Sequence, residues 1–559
     1  MALGQLFTRT PIAPPNQRQD SVGASFKPAP TNGVVPIQGP VLGKLSLTLA
    51  KVGLCLALGL MALAVQPAFA HGFGQKYGLP LPLWLYVTGA GAVVALSFLV
   101  IAFFAQGNPS VQGYPRYNLL RLGIVRALAG KVTLTFLRLL SVLLLLLTIA
   151  AGLTGNQDSL KNLAPTIVWV YWWVGLAYAS ALFGHVWALV NPWEAMFSWV
   201  DSLYQRLNPG DRLSSERAYP AKLGYWPAVV LFGLFAWVEI VFPRSAEPRS
   251  LATLAVGYTF VTFVGMVLYG KNAWLKHGEA FAVVLGLLAR FSPTETRVRH
   301  TETCQACGSG CDPVECVDCY ECFRNAPRES REFNLRPYGA GLLSSEVASP
   351  SLLFLVLLTL STVTFDGFTS TPFWSKLVAV VYPAFRVFGS EAVTVIRTVG
   401  LLAFPFIFIG VYQVFSMVMA ALGGKSDQWK TFAGTFVFSL IPIALAYHLA
   451  HFLSFLLIQG QLLIPLASDP FGWGWDLLGT AGYQMNVNIV GAKFAWFVAV
   501  IAIVLGHIIA VYVAHARAMG MTDNRGSALR SQYPMMALMV GYTMVSLWII
   551  AQPIVDVKA

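Results

Sequence analysis

Six of the seven cysteines lie within one 19-residue segment, and their spacing suits metal binding. They are Cys304, Cys307, Cys311, Cys316, Cys319 and Cys322. Thiolates separated by two residues can reach one soft metal centre. The second half, Cys316-Val-Asp-Cys319-Tyr-Glu-Cys322 with Ala326-Pro327 after it, is similar to the bacterial ferredoxin run, which has a cysteine where Ala326 stands.

Two metal centres are compatible with these cysteines. An iron–sulfur cluster of the [4Fe–4S] type would use Cys316, Cys319 and Cys322, with its fourth ligand among Cys304, Cys307 and Cys311. A zinc ion would use Cys304, Cys307 and one later pair, and it would only stabilise the loop. Redox-active or metal-free thiols are the remaining alternative. We predict the iron–sulfur cluster and keep zinc as the alternative.

Three of the histidines inside apolar segments are candidates for one site. His448 and His451 are three residues apart on one predicted helix and so share a face, and His507 lies on the next. Ionisable groups in a membrane usually face a cavity, a partner or a cofactor, and imidazole binds haem, copper, iron or zinc. We hypothesise that the three form one buried metal site, with helix–helix hydrogen bonds as the alternative. Arg138, Glu239, Asp366, Glu391 and Arg397 also lie in or near spans, and we interpret them as anchors.

The N-terminal sequence predicts export. Residues 1–43 are rich in Pro, Gly, Ser and Asn and predict a disordered leader. Residues 44–70 combine basic residues, a short apolar run and a final Ala-Phe-Ala, as in a signal peptide. Cleavage would leave His71 at the new N-terminus, where its amine and ring could chelate copper. An uncleaved first helix is the alternative.

Composition predicts an all-α membrane protein. Of the residues, 56% are hydrophobic and only 11% charged, too few charges to cover a soluble globule. We predict about ten transmembrane helices after the signal peptide. Their approximate residue ranges are 81–105, 132–151, 166–190, 224–242, 251–270, 351–365, 392–422, 432–458, 494–514 and 535–551. The net charge of +12 is explained by basic loops at an anionic lipid surface, which excludes nucleic acid as the partner.

The basic loops also predict orientation. Lys and Arg concentrate in alternate loops, which places those loops in the cytoplasm of a cell with an inner membrane. Residue 71 and the C-terminus would then be periplasmic. Helices 1–5 would occupy residues 71–270 and helices 6–10 residues 351–559. The connection 271–350, which carries the cysteines, would be cytoplasmic, and its apolar piece 281–288 is too short to span, so we place it at the interface or in a re-entrant loop.

Several segments carry a family resemblance: His71-Gly-Phe-Gly-Gln, Leu79-Pro-Leu-Pro-Leu-Trp84-Leu-Tyr, Phe183-Gly-His185-Val-Trp187, Ser361-Thr-Val-Thr-Phe-Asp366-Gly-Phe368 and Gly506-His507-Ile-Ile-Ala-Val-Tyr512. They resemble a family of bacterial membrane proteins commonly labelled fenitrothion hydrolase. The resemblance implies metal-assisted hydrolysis of an organophosphate-type substrate. The six-cysteine segment is not part of that pattern.

Three functions therefore stay open. The resemblance implies a membrane-bound hydrolase, which is the function we predict at the level of the family. The cysteines and intramembrane histidines favour an oxidoreductase, in which a cytoplasmic iron–sulfur cluster accepts electrons from a soluble donor and passes them to a His-ligated haem or copper. A proton-coupled transporter is the third, with His and Arg as proton or substrate sites.

Overall fold

The computed structural model describes residues 76–104, 114–215, 217–299, 315–344, 346–521 and 524–556. The predicted signal peptide, His71, Cys304, Cys307 and Cys311 lie outside these ranges. Within them, nine helical segments are long and apolar enough to cross a membrane. They are Leu83–Phe103, Lys131–Thr154, Leu163–Phe183, Pro248–Tyr269, Pro350–Thr369, Pro372–Leu422, Ser426–Ser468, Ala492–Met521 and Arg525–Ile554. The multi-pass helical class is therefore confirmed.

Two of these segments contain more than one helix. The segment Pro372–Leu422 consists of the helices Pro372–Phe385 and Ala392–Leu422, joined by a 3-10 turn in which Gly389 has a φ of +56°. The segment Ser426–Ser468 contains the helices Trp429–Phe436, Ile441–Gln459 and Leu463–Ser468. The helix Pro372–Phe385 was not predicted. Its apolar side chains are mostly exposed, as expected of a helix that meets lipid.

Shorter helices complete the described part of the chain. They are Gly123–Leu128, Trp187–Val190, Pro192–Leu207, Trp226–Ile240, Lys271–His277, Ala280–Ala289 and Tyr320–Asn325. The start of Pro192–Leu207 shows how local sequence sets these bounds. Asn191 accepts hydrogen bonds from the backbone N–H groups of Trp193 and Glu194, and Pro192 occupies the first turn, where no N–H is needed.

The fourth predicted span is the 15-residue helix Trp226–Ile240, about 22 Å long at the usual helical rise. Although this helix is short, it runs from the loops at one end of the helical bundle to the loops at the other end. At its start, the backbone N–H of Tyr225 donates to Ser351 Oγ. Beyond its end, the backbone carbonyl of Ser245 accepts from Trp169 Nε1. The helix therefore runs between the same two groups of loops as its neighbours.

Contacts between loops define those two ends. At one end, which we call the sheet end, strand Tyr117–Asn118 pairs with strand Arg331–Leu335. Here also the backbone of Ala348 bonds that of Gly434, and Arg517 Nε donates to the Leu342 carbonyl. At the other end, which we call the tryptophan-loop end, the backbone of Asn156 bonds that of Phe471, and strand Tyr77–Gly78 runs parallel to strand Val555–Asp556. The first and last described strands thus lie at the same end.

A small antiparallel sheet, which the sequence analysis did not predict, covers the sheet end. Its four strands, in the order β2-β5-β3-β4, are β2 (Tyr117–Asn118), β3 (Thr294–Arg299), β4 (Glu315–Val317) and β5 (Arg331–Leu335). The parallel pair at the other end is β1 (Tyr77–Gly78) and β6 (Val555–Asp556). Strand β3 lies between β5 and β4, and its Val298 pairs with Cys316. The sheet therefore fixes the backbone of the first cysteine described.

The apolar piece at 281–288 belongs to the helix Ala280–Ala289, which lies inside the protein and not at its surface. Phe281 and Leu285 are buried, and the helix packs on Leu176–Phe183 and Trp226–Ile240. Glu279 caps it, accepting from the backbone N–H groups of Phe281 and Ala282. The burial contradicts the interfacial position, because neighbouring helices cover a segment that is too short to span lipid alone, and the re-entrant alternative stays a prediction.

Candidate functional site

Three of the predicted metal ligands meet at the edge of the sheet. Cys316 lies in β4, and Cys319 and Cys322 follow at and within the helix Tyr320–Asn325. Their sulfur atoms all lie within 4.8 Å of one another. Cys316 and Cys322 are buried and Cys319 is half-buried. Ala326, the position that departs from the ferredoxin run, is buried in the same small cluster.

These sulfurs have the spacing and burial that a thiolate-bound metal centre needs. Cys316 is in a disulfide bond, whereas Cys319 and Cys322 are thiols. All three therefore become ligands only after that disulfide is reduced, because a metal binds the thiolate. A three-sulfur group also leaves one ligand of a tetrahedral centre to be supplied from elsewhere. Cys304, Cys307 and Cys311 lie outside the described residues, so their predicted part stays a prediction.

A buried arginine holds the turn between the first two of these cysteines. Asp318 has a φ of +57°, a left-handed conformation that aspartate tolerates better than most side chains. Its backbone N–H donates to the Thr296 carbonyl at 2.7 Å, and its carboxylate accepts from Arg336 Nη1 at 2.8 Å. The Arg336 side chain is fully buried. Arg336 is therefore a positioning residue for Cys316 and Cys319.

The same arginine belongs to a network around Glu295. The Glu295 carboxylate accepts from Tyr114 Oη at 2.5 Å, Arg116 Nε at 2.6 Å, Asn334 Nδ2 at 3.1 Å and Arg336 Nη1 at 3.2 Å. Burial by itself would raise the pKa of Glu295, but the Tyr114 hydrogen bond and the two guanidinium groups outweigh it and the pKa falls. Burial and the adjacent carboxylate raise the pKa of Tyr114 to about 12.

A large cavity of about 1020 Å³ lies beside the cysteines at the sheet end. Cys319 is one of its lining residues, together with Asp318 and Arg336 from the turn and His185, Glu194 and Lys271 from the helical side. A cavity of this volume is at the upper end of the range for small-molecule sites. The half-buried thiol of Cys319 is therefore within reach of a molecule that enters from solution.

Charges on the wall of the large cavity are mostly paired. Arg324 forms an ion pair with Glu194 and donates to the Ala188 carbonyl, and Arg290 pairs with Glu346 at 2.7 Å. Burial is the main cause, and the positive charge of Arg324 the second, of a lowered pKa of about 4 for His185, so this imidazole is neutral at pH 7. Its Nδ1 is buried without a hydrogen-bond partner among the described residues. His185 can therefore accept a hydrogen bond.

The arginines after the cysteines serve the fold more than a partner. Arg331 donates to the backbone carbonyls of Ala326 and Arg324, and Arg324 is held by Glu194. Of the three arginines that follow the cysteines, Arg324, Arg328 and Arg331, Arg328 is the exposed one. The predicted electron donor stays a prediction.

The three intramembrane histidines have separate surroundings. His451 Nε2 lies 2.7 Å from Asp366 Oδ2. His448 is buried among the rings of Trp173, Tyr178 and Phe452, with neither nitrogen hydrogen-bonded among the described residues. His507 Nδ1 donates to the Ile503 carbonyl at 2.8 Å, and its ring lies 6.0 Å from that of Tyr542.

The histidines do not form a group of three metal ligands with one another. Among the described residues, one group of three His, Cys, Asp or Glu side chains lies close enough together to share a metal ion. That group is Cys316, Cys319 and Cys322. The hypothesis that His448, His451 and His507 bind one metal, haem or copper stays a prediction, and it needs movement of these helices. The orphaned nitrogens of His448 are the observation in its favour.

A second, smaller cavity of about 500 Å³ lies toward the tryptophan-loop end. Glu239, Asp366 and Arg397 line it, with hydroxyl groups from Ser245, Thr369, Ser370, Ser375 and Thr394. Asp366 joins this cavity to His451. Three of the residues that we interpreted as anchors therefore meet around one space.

Comparison with protein-family models, with curated proteins and with solved structures finds no match for this chain.

Sequence reasoning missed the residues that hold the site. Glu295 lies in Thr294–Arg299, where β-branched and charged residues alternate, and this period of two is a strand signal that predicts β3. No comparable signal marks Arg336, because its partners Asp318 and Glu295 lie 18 and 41 residues away. Its role depends on the fold.

Proposed function

We propose that this protein is a multi-pass membrane oxidoreductase in which Cys316, Cys319 and Cys322 hold an iron–sulfur cluster. The observation that carries the proposal is that their three sulfurs converge within 4.8 Å and that Cys319 lines the large cavity. Such a cluster, when bound, supplies one-electron transfer. A structural zinc site would not need a thiol on the wall of a cavity that small molecules can enter.

The roles of the chain's own residues follow from their contacts. Arg336 and Asp318 hold the turn that carries Cys316 and Cys319. The Arg324–Glu194 pair joins the helix Tyr320–Asn325 to the helix Pro192–Leu207, so the cysteines are tied to the membrane part of the protein. Neutral His185 and the ammonium group of Lys271 line the cavity, where they can bind and orient a polar reactant.

The orientation is part of the proposal. The loops of the sheet end contain Arg116, Arg121, Arg206 and Arg212, whereas the loops of the tryptophan-loop end are poor in basic residues. By the positive-inside rule, the sheet end faces the cytoplasm and the tryptophan-loop end the periplasm of an inner membrane. The reducing cytoplasm would reduce the disulfide at Cys316 and keep the other two cysteines as thiols, and soluble electron donors would reach the cavity from there.

Anaerobic purification after mild reduction tests the cluster. We expect iron and acid-labile sulfide in stoichiometric amounts and a paramagnetic signal on reduction. The variant Cys319→Ser should lose both, whereas Arg328→Gln, which changes an exposed neighbour, should keep them. Stoichiometric zinc without sulfide would replace the cluster with a structural site. A protein without metal but with two redox-active thiols per chain would point to dithiol chemistry in place of the iron–sulfur cluster. The disulfide at Cys316 is the observation that favours this outcome.

Hydrolysis of an organophosphate ester, which the family resemblance implies, is a second proposal. The segments that carry the resemblance contribute His185 and Trp187 to the large cavity and Asp366 to the small one. His451 and Asp366 are the residues that could help to hold a metal for this reaction, and the metal would supply activation of water. Turnover of fenitrothion that persists in Cys319→Ser and is lost in His451→Leu would favour the hydrolase over the oxidoreductase.

A further inference from the structure

The small cavity brings together one basic and two acidic side chains, and Arg397 pairs with neither Glu239 nor Asp366. No carboxylate of the described residues lies within 4.0 Å of the Arg397 guanidinium, and Glu239 likewise forms no ion pair with a described residue. Arg397 Nε is buried and has no hydrogen-bond partner in the described part of the chain. Asp366 is paired with His451 at 2.7 Å.

An anchoring role does not account for this arrangement. A snorkelling arginine places its head in water or among lipid headgroups, and a structural ion pair brings its two partners into contact. Here Arg397 and Glu239 line the same cavity without forming an ion pair, and a partly buried guanidinium without a carboxylate partner is costly. A ligand that bridges them would satisfy both.

The lining indicates the chemistry of that ligand. A guanidinium with a free Nε favours a carboxylate, which it can bind through two parallel hydrogen bonds. The carboxylates of Glu239 and Asp366 favour an ammonium group. The hydroxyls of Thr369, Ser370 and Thr394 can hydrogen-bond the remaining polar atoms. The volume of about 500 Å³ suits a small organic molecule.

We propose that the small cavity binds a small zwitterion of the amino-acid type, with its carboxylate on Arg397 and its ammonium group between Glu239 and Asp366. The proposal does not depend on the cysteines or on the metal they hold. Asp366, which lines the cavity, pairs with His451 on the helix Ile441–Gln459 and so links the site to that helix.

The test is the thermal unfolding of the detergent-purified protein in the presence of a mixture of the twenty common amino acids. A bound ligand stabilises the folded state, so the unfolding midpoint should rise. Acetate with propionate, and ethylamine, serve as probes that carry one of the two charges alone. We expect the mixture of amino acids to raise the midpoint and the single-charge probes to leave it in place.

Variants then locate the site. Arg397→Gln and Glu239→Gln should each weaken the apparent affinity about 10–100-fold, as loss of a hydrogen bond to a charged group does. Arg386→Gln, which changes an exposed arginine in the same half of the chain, should keep the full rise. If Arg397→Gln fails to fold, Arg397→Lys keeps the charge without the planar fork and should still bind less tightly.

Three outcomes would overturn the proposal: no rise with the amino acids, an equal rise in Arg397→Gln, or an equal rise with acetate and propionate. The metal content of Arg397→Gln should match that of the unmodified protein, so failure here is distinguishable from failure of the cluster.

Discussion

The two cavities differ in how their charges are arranged. Around the large cavity, Arg336, Arg324 and Arg290 each contact a carboxylate, and the resulting pairs hold the sheet and the cysteines to the helices. Around the small cavity, His451 pairs with Asp366, but Arg397 and Glu239 face the space without a described ion-pair partner. Paired charges build the first site, and the unpaired Arg397 leaves the second ready for a ligand.

This difference has a physical reason. A buried ion pair is held in place because removing one partner leaves the other charge uncompensated. Such pairs suit a metal centre, whose ligands must keep fixed positions. A site that binds and releases a charged ligand instead needs groups that are satisfied only when the ligand is present. Removal of a charge should therefore destabilise the fold at the large cavity, whereas at the small cavity it should weaken ligand binding.

The largest effect is expected for Arg336→Met. This change leaves Asp318 without its partner and removes one donor from buried Glu295, so we expect a loss of about 3–5 kcal/mol in the free energy of unfolding of the sheet region. Metal bound by the cysteines should be lost as well, because the turn at Asp318 is released. Hydrogen exchange of β3 and β5 and metal analysis measure both. Unchanged exchange and metal content would show that the network does not position the cysteines.

A smaller effect is expected from acid. The pKa of Glu295 in the folded protein lies below its ordinary value of 4.5, so the carboxylate stabilises the fold above that value, and this contribution is lost as the pH falls through the lowered pKa. The unfolding midpoint of the native protein should therefore exceed that of Glu295→Gln by a constant amount near neutral pH. The gap should narrow below about pH 4.5. A gap that does not depend on pH would exclude Glu295 as the titrating group.

The smallest effects on the free energy of unfolding are expected for two histidine variants. One removes an imidazole that is paired with a carboxylate, and the other removes an imidazole without a described partner. His451→Leu removes the partner of Asp366 and should cost about 1.5–3 kcal/mol. His448→Leu removes two buried nitrogens without described partners and should be neutral or stabilising. Thermal unfolding of the two variants checks this order. Loss of a bound metal or haem in His448→Leu would instead restore the hypothesis that the histidines share one cofactor.

The sequence alone determined the membrane class and nearly all of the spans. Nine of the ten predicted segments coincide with helices long and apolar enough to cross a membrane, because hydrophobic thickness is a local property that about 20 residues reveal. The spacing of Cys316, Cys319 and Cys322 likewise predicted that their sulfurs converge, since a turn or helix brings cysteines with two residues between them close together.

Only the tertiary structure decided which charged groups meet. Arg324 reaches Glu194 across 130 residues, and His451 reaches Asp366 across 85. The backbone of Cys316 is fixed by strand β3, and Glu239, Asp366 and Arg397 share a cavity although three different helices carry them. These juxtapositions follow from how the helices and the sheet pack, and one sequence read along its length contains no record of distances between residues that far apart.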